Sequence, residues 1–138
     1  MGIQWIFKRK IYRRKRRSVS KSSQAHYEAH KEKARAVVEV RLAYWNEFYK
    51  HLYKRVAIRN QKSRWGSCSS KRNLNFNYRI IFLPELLIDY IIVHELCHLA
   101  ELNHSARFWE HVELALPDYV VRRAQLRAVS LDAIAVEI

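Results

Sequence analysis

Apolar positions recur along this chain at two different periods, and the changes of period mark out the elements. Between residues 24 and 53, Ala34, Val37, Val38, Leu42, Trp45, Phe48, Tyr49 and Leu52 follow the 3.6-residue period without an intervening Gly or Pro. That pattern predicts one long amphipathic helix. Its polar face carries Lys31, Glu32, Lys33, Arg35, Glu39, Arg41, Glu47 and Lys50, with some opposite charges at helical spacing. The period then drops to two. Val56 and Ile58 alternate with Ala57, Arg59 and Gln61, predicting a short half-buried strand over residues 55–61. Over residues 73–83, Leu74, Phe76, Tyr78, Ile80 and Phe82 share one face, and Asn75, Asn77, Arg79 and Ile81 the other. These two strands are expected to pair as a hairpin across the long loop 62–72, with the second forming the edge of a cleft. Gly66 in that loop is one of only two glycines, which predicts an unusual backbone conformation there.

Helical periodicity returns at Pro84 and Glu85, which suit the first turn of a helix. This helix is expected to reach Leu102, with Asn103 as a left-handed C-cap. Ser105 can cap a following helix through Leu116, with Phe108, Trp109 and Val112 on its buried side. Pro117 breaks it. Asp118 can cap a last helix, Tyr119 to Val129, whose apolar positions are Val120, Val121, Ala124 and Leu126. The mostly apolar tail from Ser130 is expected to dock on the core.

Composition narrows the class. The chain has 138 residues and is 49% hydrophobic, the size and make-up of one globular domain. No run of eighteen apolar residues exists, so no transmembrane helix is expected. Residues 3–7 are too short for the apolar core of a signal peptide. Two cysteines, Cys68 and Cys97, suit a reducing compartment, and the expected location is cytoplasmic. The net charge is +13, but nine Lys or Arg and no acid fall within residues 1–23. The organisation read from this is a basic arm, 1–23, followed by a domain, 24–138. Such an arm suits nucleic acid, a nucleotide or an anionic surface, with Trp5 and Tyr12 available to stack on bases. The plain alternative is a solvated tail.

The chemistry lies in His94-Glu95-Leu96-Cys97-His98 and in His104 beyond it. Two histidines four apart lie on one helix face and can share a metal ion. Glu95 follows the first ligand and can reach a water on that metal as general base. His104 becomes a third ligand if the chain turns back, leaving a fourth position open as in catalytic zinc sites. A third ligand from Glu110 or Glu113 is the alternative coordination. The flanks Leu86, Leu87, Ile91, Ile92, Val93, Leu96 and Leu99 are apolar, so Glu95 is expected to be buried, and a buried charge needs a reason. Cys97 points away from the two histidines and is read as a small buried side chain. His26, His30, His51 and His111 are expected at the surface rather than as ligands.

The ordered motifs Ser63-Arg64-Trp65-Gly66-Ser67-Cys68-Ser69, Leu74-Asn75-Phe76-Asn77, Leu83-Pro84, Asp89-Tyr90, His94 through Leu99, Asn103-His104-Ser105 and Phe108-Trp109 resemble the YgjP-like metallopeptidase domain. That family is similar to SprT-like and other minimal zincin proteases. The resemblance covers roughly residues 25–129. It implies zinc on His94, His98 and His104, with Glu95 as base. It also implies an α+β, minimal zincin-like fold, in which a small antiparallel sheet packs against the motif helix and the long N-terminal helix. Glu101 stands where secreted metzincins have Gly, and the only Met is Met1, so no Met-turn follows.

The expected activity is a zinc-dependent peptidase acting on a peptide or protein, with Arg64 or Tyr119 as the candidate to stabilise the oxyanion. Two alternatives keep the metal. One is a hydrolase of nucleotide phosphoanhydrides such as nucleoside triphosphates. The other is a DNA-associated protease module.

Overall fold

The computed structural model describes residues 20–131, so the basic arm up to residue 19 and the tail from residue 132 lie outside the described residues. The first helix, α1, spans Lys21–Tyr49. Ser20 caps it, its hydroxyl accepting the Ser23 N–H at 3.1 Å, as a serine cap does. The helix therefore starts within the stretch assigned to the arm. It stops before residue 53 because Lys50 turns left-handed, with φ of 54°. Ala34, Val38 and Leu42, four apart, form its buried line. On the same helix, Arg41 grips the buried Asp89 through two bonds, Nε to Oδ1 at 2.6 Å and Nη2 to Oδ2 at 2.7 Å.

The sheet corrects one expectation. Its strands are β1 (Arg55–Arg59), β2 (Gly66–Cys68) and β3 (Asn73–Asn77), in the spatial order β1-β3-β2. β1 runs parallel to β3, from Arg55 opposite Asn73 to Arg59 opposite Asn77. The antiparallel partner of β3 is β2, with Gly66 opposite Phe76 and Cys68 opposite Leu74. The sheet is thus mixed rather than antiparallel, and the expected hairpin does not form. The reason lies in the long connection. Three of its residues fold back on β3 and occupy the hairpin position. Residues 60–72 supply the length that a parallel connection needs. β3 is the central strand, so the cleft edge belongs to β2.

Strand alternation ends at Asn77, earlier than residue 83. The Asn77 side chain donates to the carbonyls of Gln61 (2.6 Å) and Arg64 (2.9 Å) and accepts from the Arg79 N–H (3.1 Å). These bonds start a 3-10 turn over Tyr78–Phe82. Tyr78 and Ile80 are buried all the same.

The helix α2, Glu85–His98, is the centre of the molecule and is buried along most of its length. It packs against α1, against β2, and against two later helices, α3 (Ala106–Ala115) and α4 (Tyr119–Arg127). It ends at His98, short of Leu102, and Asn103 does not cap it. The ending is made by Leu99 and Ala100, whose N–H groups return to the carbonyls of Leu96 and Cys97. The His98 ring closes the turn, its Nδ1–H donating to the Glu101 carbonyl at 2.9 Å. Ser105 caps α3 by accepting the Phe108 N–H at 3.4 Å. Asp118 precedes α4 as expected, but its carboxylate binds Arg122 instead of the helix amides. Val120 and Val121 stay exposed, and from α4 and its end Leu126 and Val129 pack on the core.

The four histidines expected at the surface are half-buried. His26 Nδ1 lies 2.6 Å from the Tyr78 hydroxyl, and His51 stacks on Tyr49. The Nε2 atoms of His26 and His51 are buried without a hydrogen-bond partner. Among the described residues, no helix is long and apolar enough to cross a membrane.

Candidate functional site

The last turn of α2 puts His94 and His98 on one face, and the turn over residues 99–103 brings His104 back to them. The three Nε2 atoms are mutually 3.1, 3.1 and 3.2 Å apart. Because the Glu101 carbonyl can only accept, the proton of a neutral His98 ring is on Nδ1, and its Nε2 presents a lone pair to the other two. Aromatic walls hold the rings. His98 stacks on Phe108 with centroids 4.3 Å apart, and His104 on Trp109 at 5.8 Å.

Electrostatics keep the donors ready. Burial, then His98 and His104, pull the His94 imidazolium down to a pKa of about 3. Burial lowers His98 as well. Neutral imidazoles are what a metal requires. Glu95 is 4% exposed. Burial pushes its carboxyl up to about 8, with the charge of Arg64 opposing the rise. Its Oε2 is buried without a hydrogen-bond partner, a state that costs free energy unless a ligand or water completes it.

Gly66 makes that burial possible. A β-carbon at position 66 would stand 3.1 Å from Glu95 Cγ, 3.3 Å from Cδ and 3.1 Å from the Asn75 carbonyl oxygen. The glycine is there for close approach. No glycine in the described residues has positive φ, so the unusual backbone expected at Gly66 is absent.

A cleft of about 240 Å³ opens beside His94 and Glu95, walled by Trp65, Gly66, Tyr90 and Ile91 and, from α4, by Leu126. Arg64, Arg123 and Arg127 also line it. Of the two oxyanion candidates, Arg64 lines this cleft. Tyr119 instead stacks on Trp109 at 5.2 Å, outside the lining. Glu110 and Glu113 are exposed and line a different depression on α3. Cys97 is buried, with its thiol pushed up to about 11 by desolvation, and takes no part in the His cluster. Four residues of the site were not singled out as such from sequence. They are Gly66 as the space for Glu95, Tyr90 with its hydroxyl 3.4 Å from His94 Nδ1, and the pair Arg123 and Arg127. Tyr90 carried a signal, since it precedes His94 by one helical turn. The arginines carried only their i, i+4 spacing.

Three converging imidazoles beside a buried carboxylate form a group that could hold a metal ion. The chain belongs to the YgjP-like metallopeptidase-domain family, whose model matches residues 4–129. The match begins well before residue 25 and so takes in most of the basic stretch. The fold is also similar to the crystal structure of the metallopeptidase zymogen of Pyrococcus abyssi abylysin. That similarity has a TM-score of 0.59 and 25% identity, and covers 64% of this chain and 90% of that one. Among curated protein sequences, none matches significantly. The protein is thus a metallopeptidase-class hydrolase of α+β fold.

Proposed function

We propose that this protein is a zinc-dependent peptidase in which His94, His98 and His104 hold the metal and Glu95 is the general base. The observation that carries this reading is the 3.1–3.2 Å triangle of Nε2 atoms. Zinc–nitrogen bonds of 2.0–2.1 Å in tetrahedral geometry imply ligand nitrogens about 3.3 Å apart. With all three Nε2 lone pairs turned inward, that spacing fits a zinc ion. Bound there, zinc would supply Lewis acidity that makes water acidic and polarises a carbonyl.

The remaining steps belong to the chain's own groups. Glu95 takes the proton of the attacking water and returns it to the leaving amine. Its raised affinity for a proton suits that relay, and a nearby divalent charge would pull it back toward the ionised form. Gly66 keeps the carboxylate unobstructed. Arg64 is favoured over Tyr119 to stabilise the oxyanion, because it lines the cleft. An extended peptide would add to the free edge of β2, whose other edge is taken by β3. The free thiols Cys68 and Cys97 fit a reducing, cytoplasmic location.

Metal analysis together with peptide turnover tests this, comparing wild type with Glu95→Gln and His104→Ala. The expected result is one zinc in wild type and in Glu95→Gln, little in His104→Ala, and turnover in wild type alone. Zinc-loaded wild type that cleaves no peptide would refute it. A second reading, hydrolysis of nucleotide phosphoanhydrides, is favoured by the three arginines at the cleft. Turnover of a nucleoside triphosphate panel, lost in Glu95→Gln, would select it. The DNA-associated module depends on the basic arm. Salt-dependent DNA binding that is lost on deleting residues 1–23 is its test.

A further inference from the structure

The cleft beside Glu95 is bordered by cations from two sides. Arg64 stands just before β2, and Arg123 and Arg127 face the cleft from one side of α4. Each acts electrostatically on the site. Arg64 opposes the rise at Glu95, Arg123 helps lower His94, and both α4 arginines work against the burial that raises the Tyr90 phenol to about 12.

Several guanidinium groups elsewhere are committed. Arg41 binds Asp89, Arg122 binds Asp118, and Arg79 donates to Asn60 and to the Gln61 carbonyl. Among the described residues, no carboxylate forms an ion pair with Arg64, Arg123 or Arg127. Arg123 lies over the Trp109 ring instead, 4.8 Å from its centroid. Unpaired surface arginines are common and by themselves mean little. These three converge on a cleft that already adjoins a triad suited to a cation. Arg64 and Arg127 are exposed and Arg123 is half-buried, so the repulsion among these like charges is modest and salt-dependent. An anion entering the cleft relieves it.

Size and lining say which anion. The cleft of about 240 Å³ falls below the usual range for pockets that enclose drug-sized ligands. It has room for one amino-acid side chain. Trp65, Ile91 and Leu126 offer apolar contact for a short stem, and guanidinium groups recognise carboxylates through paired N–H donors.

We propose that this cleft selects peptide substrates by a carboxylate close to the scissile bond, held by Arg123 and Arg127 with Arg64 opposite. The carboxylate is that of an acidic side chain or of the peptide's free C-terminus. This inference rests on the peptidase reading and adds its specificity.

The test uses the zinc-loaded full chain and three matched sets of quenched fluorogenic peptides. One set carries Asp or Glu near the cleavage site with an amidated C-terminus. The second replaces these by Asn or Gln. The third is neutral with a free C-terminal carboxylate. Either carboxylate set should exceed the neutral set in kcat/KM by on the order of tenfold, and the set that does so identifies the source. The double variant R123E/R127E should abolish that ratio and turn the preference toward Lys-containing peptides. Fluorescence polarisation of the same peptides on Glu95→Gln gives a readout that needs no turnover. Acidic peptides should bind tighter, and the difference should shrink with salt. Equal kcat/KM and equal affinity across the three sets would overturn the proposal, as would a ratio unchanged by charge reversal. Tighter binding of nucleoside triphosphates than of acidic peptides would overturn it too. Tight acidic-peptide binding without cleavage of any set would remove the peptidase reading and leave the carboxylate site supported.

Discussion

Two pairs of histidines in this chain have the same spacing and different fates. His26 and His30 lie four apart on α1, and His94 and His98 lie four apart on α2. Both pairs bring their rings together, with centroids 4.3 and 4.7 Å apart. In both, burial lowers the first histidine's pKa. The difference lies in where the ring nitrogens are committed. On α1, His26 Nδ1 meets the Tyr78 hydroxyl, and His30 Nδ1–H donates back to the His26 carbonyl at 2.8 Å. Both rings are absorbed into packing against Tyr78 and Phe82. On α2, the His98 Nδ1–H goes to the turn that follows, its Nε2 faces inward, and that same turn delivers His104. Among the described residues, only the second pair belongs to a group able to hold a metal. Helical spacing puts two imidazoles together. The outer-nitrogen bond of His98 and a third imidazole bring the second pair into a group that could hold a metal ion.

The sharpest way to break this contrast is at the second pair's carboxylate. Glu95→Gln should lower kcat by on the order of 10³-fold, with zinc content unchanged by elemental analysis. His26→Asn with His30→Asn should leave zinc stoichiometry at the wild-type value, and loss of zinc there would dissolve the distinction. The next effect is on Gly66. Gly66→Ala should push Glu95 aside and cost about 10²-fold in kcat. Its helical circular dichroism should persist, which separates misplacement from unfolding. Stability should respond at Asp89, which anchors α2 to α1 through Arg41. Removing the charge of the buried partner in such a pair costs about 3 kcal/mol, so Asp89→Asn should unfold at clearly lower urea while Arg35→Ala, paired with the exposed Glu32, should barely move the midpoint.

The smallest effect concerns pH and tests His26 alone. Burial, then His30 and Arg79, hold its pKa below the ordinary 6.5. Below pH 6.5 the unfolded chain therefore binds more protons at this residue than the folded one, and its contribution to stability is lost as pH falls. His26→Phe should flatten the decline in urea midpoint between pH 7 and pH 5, measured with zinc present so that the triad is held constant. An unchanged slope would show that the His26 ring is free to protonate in place.

What the amino-acid order determined about this protein is what short range can carry. The long helix followed from period 3.6 in Val38, Leu42 and their neighbours, and the strands β1 and β3 from the change to period two. The triad was legible because His94 and His98 share a helix face by spacing alone, with a turn expected to return His104. Tertiary structure decided what depends on distant partners. Alternation at β1 and β3 could not say that residues 66–68 would take the antiparallel edge, since pairing is fixed by which strand arrives there. The need for Gly66 became visible only when Glu95 came within 3.1 Å of its missing side chain. Arg64 and the α4 arginines are some sixty positions apart in the chain, and they meet at one cleft because α4 and β2 both pack on α2. Local pattern records the energy of a residue with its near neighbours, whereas a site is the sum of long-range contacts that form once those elements are packed.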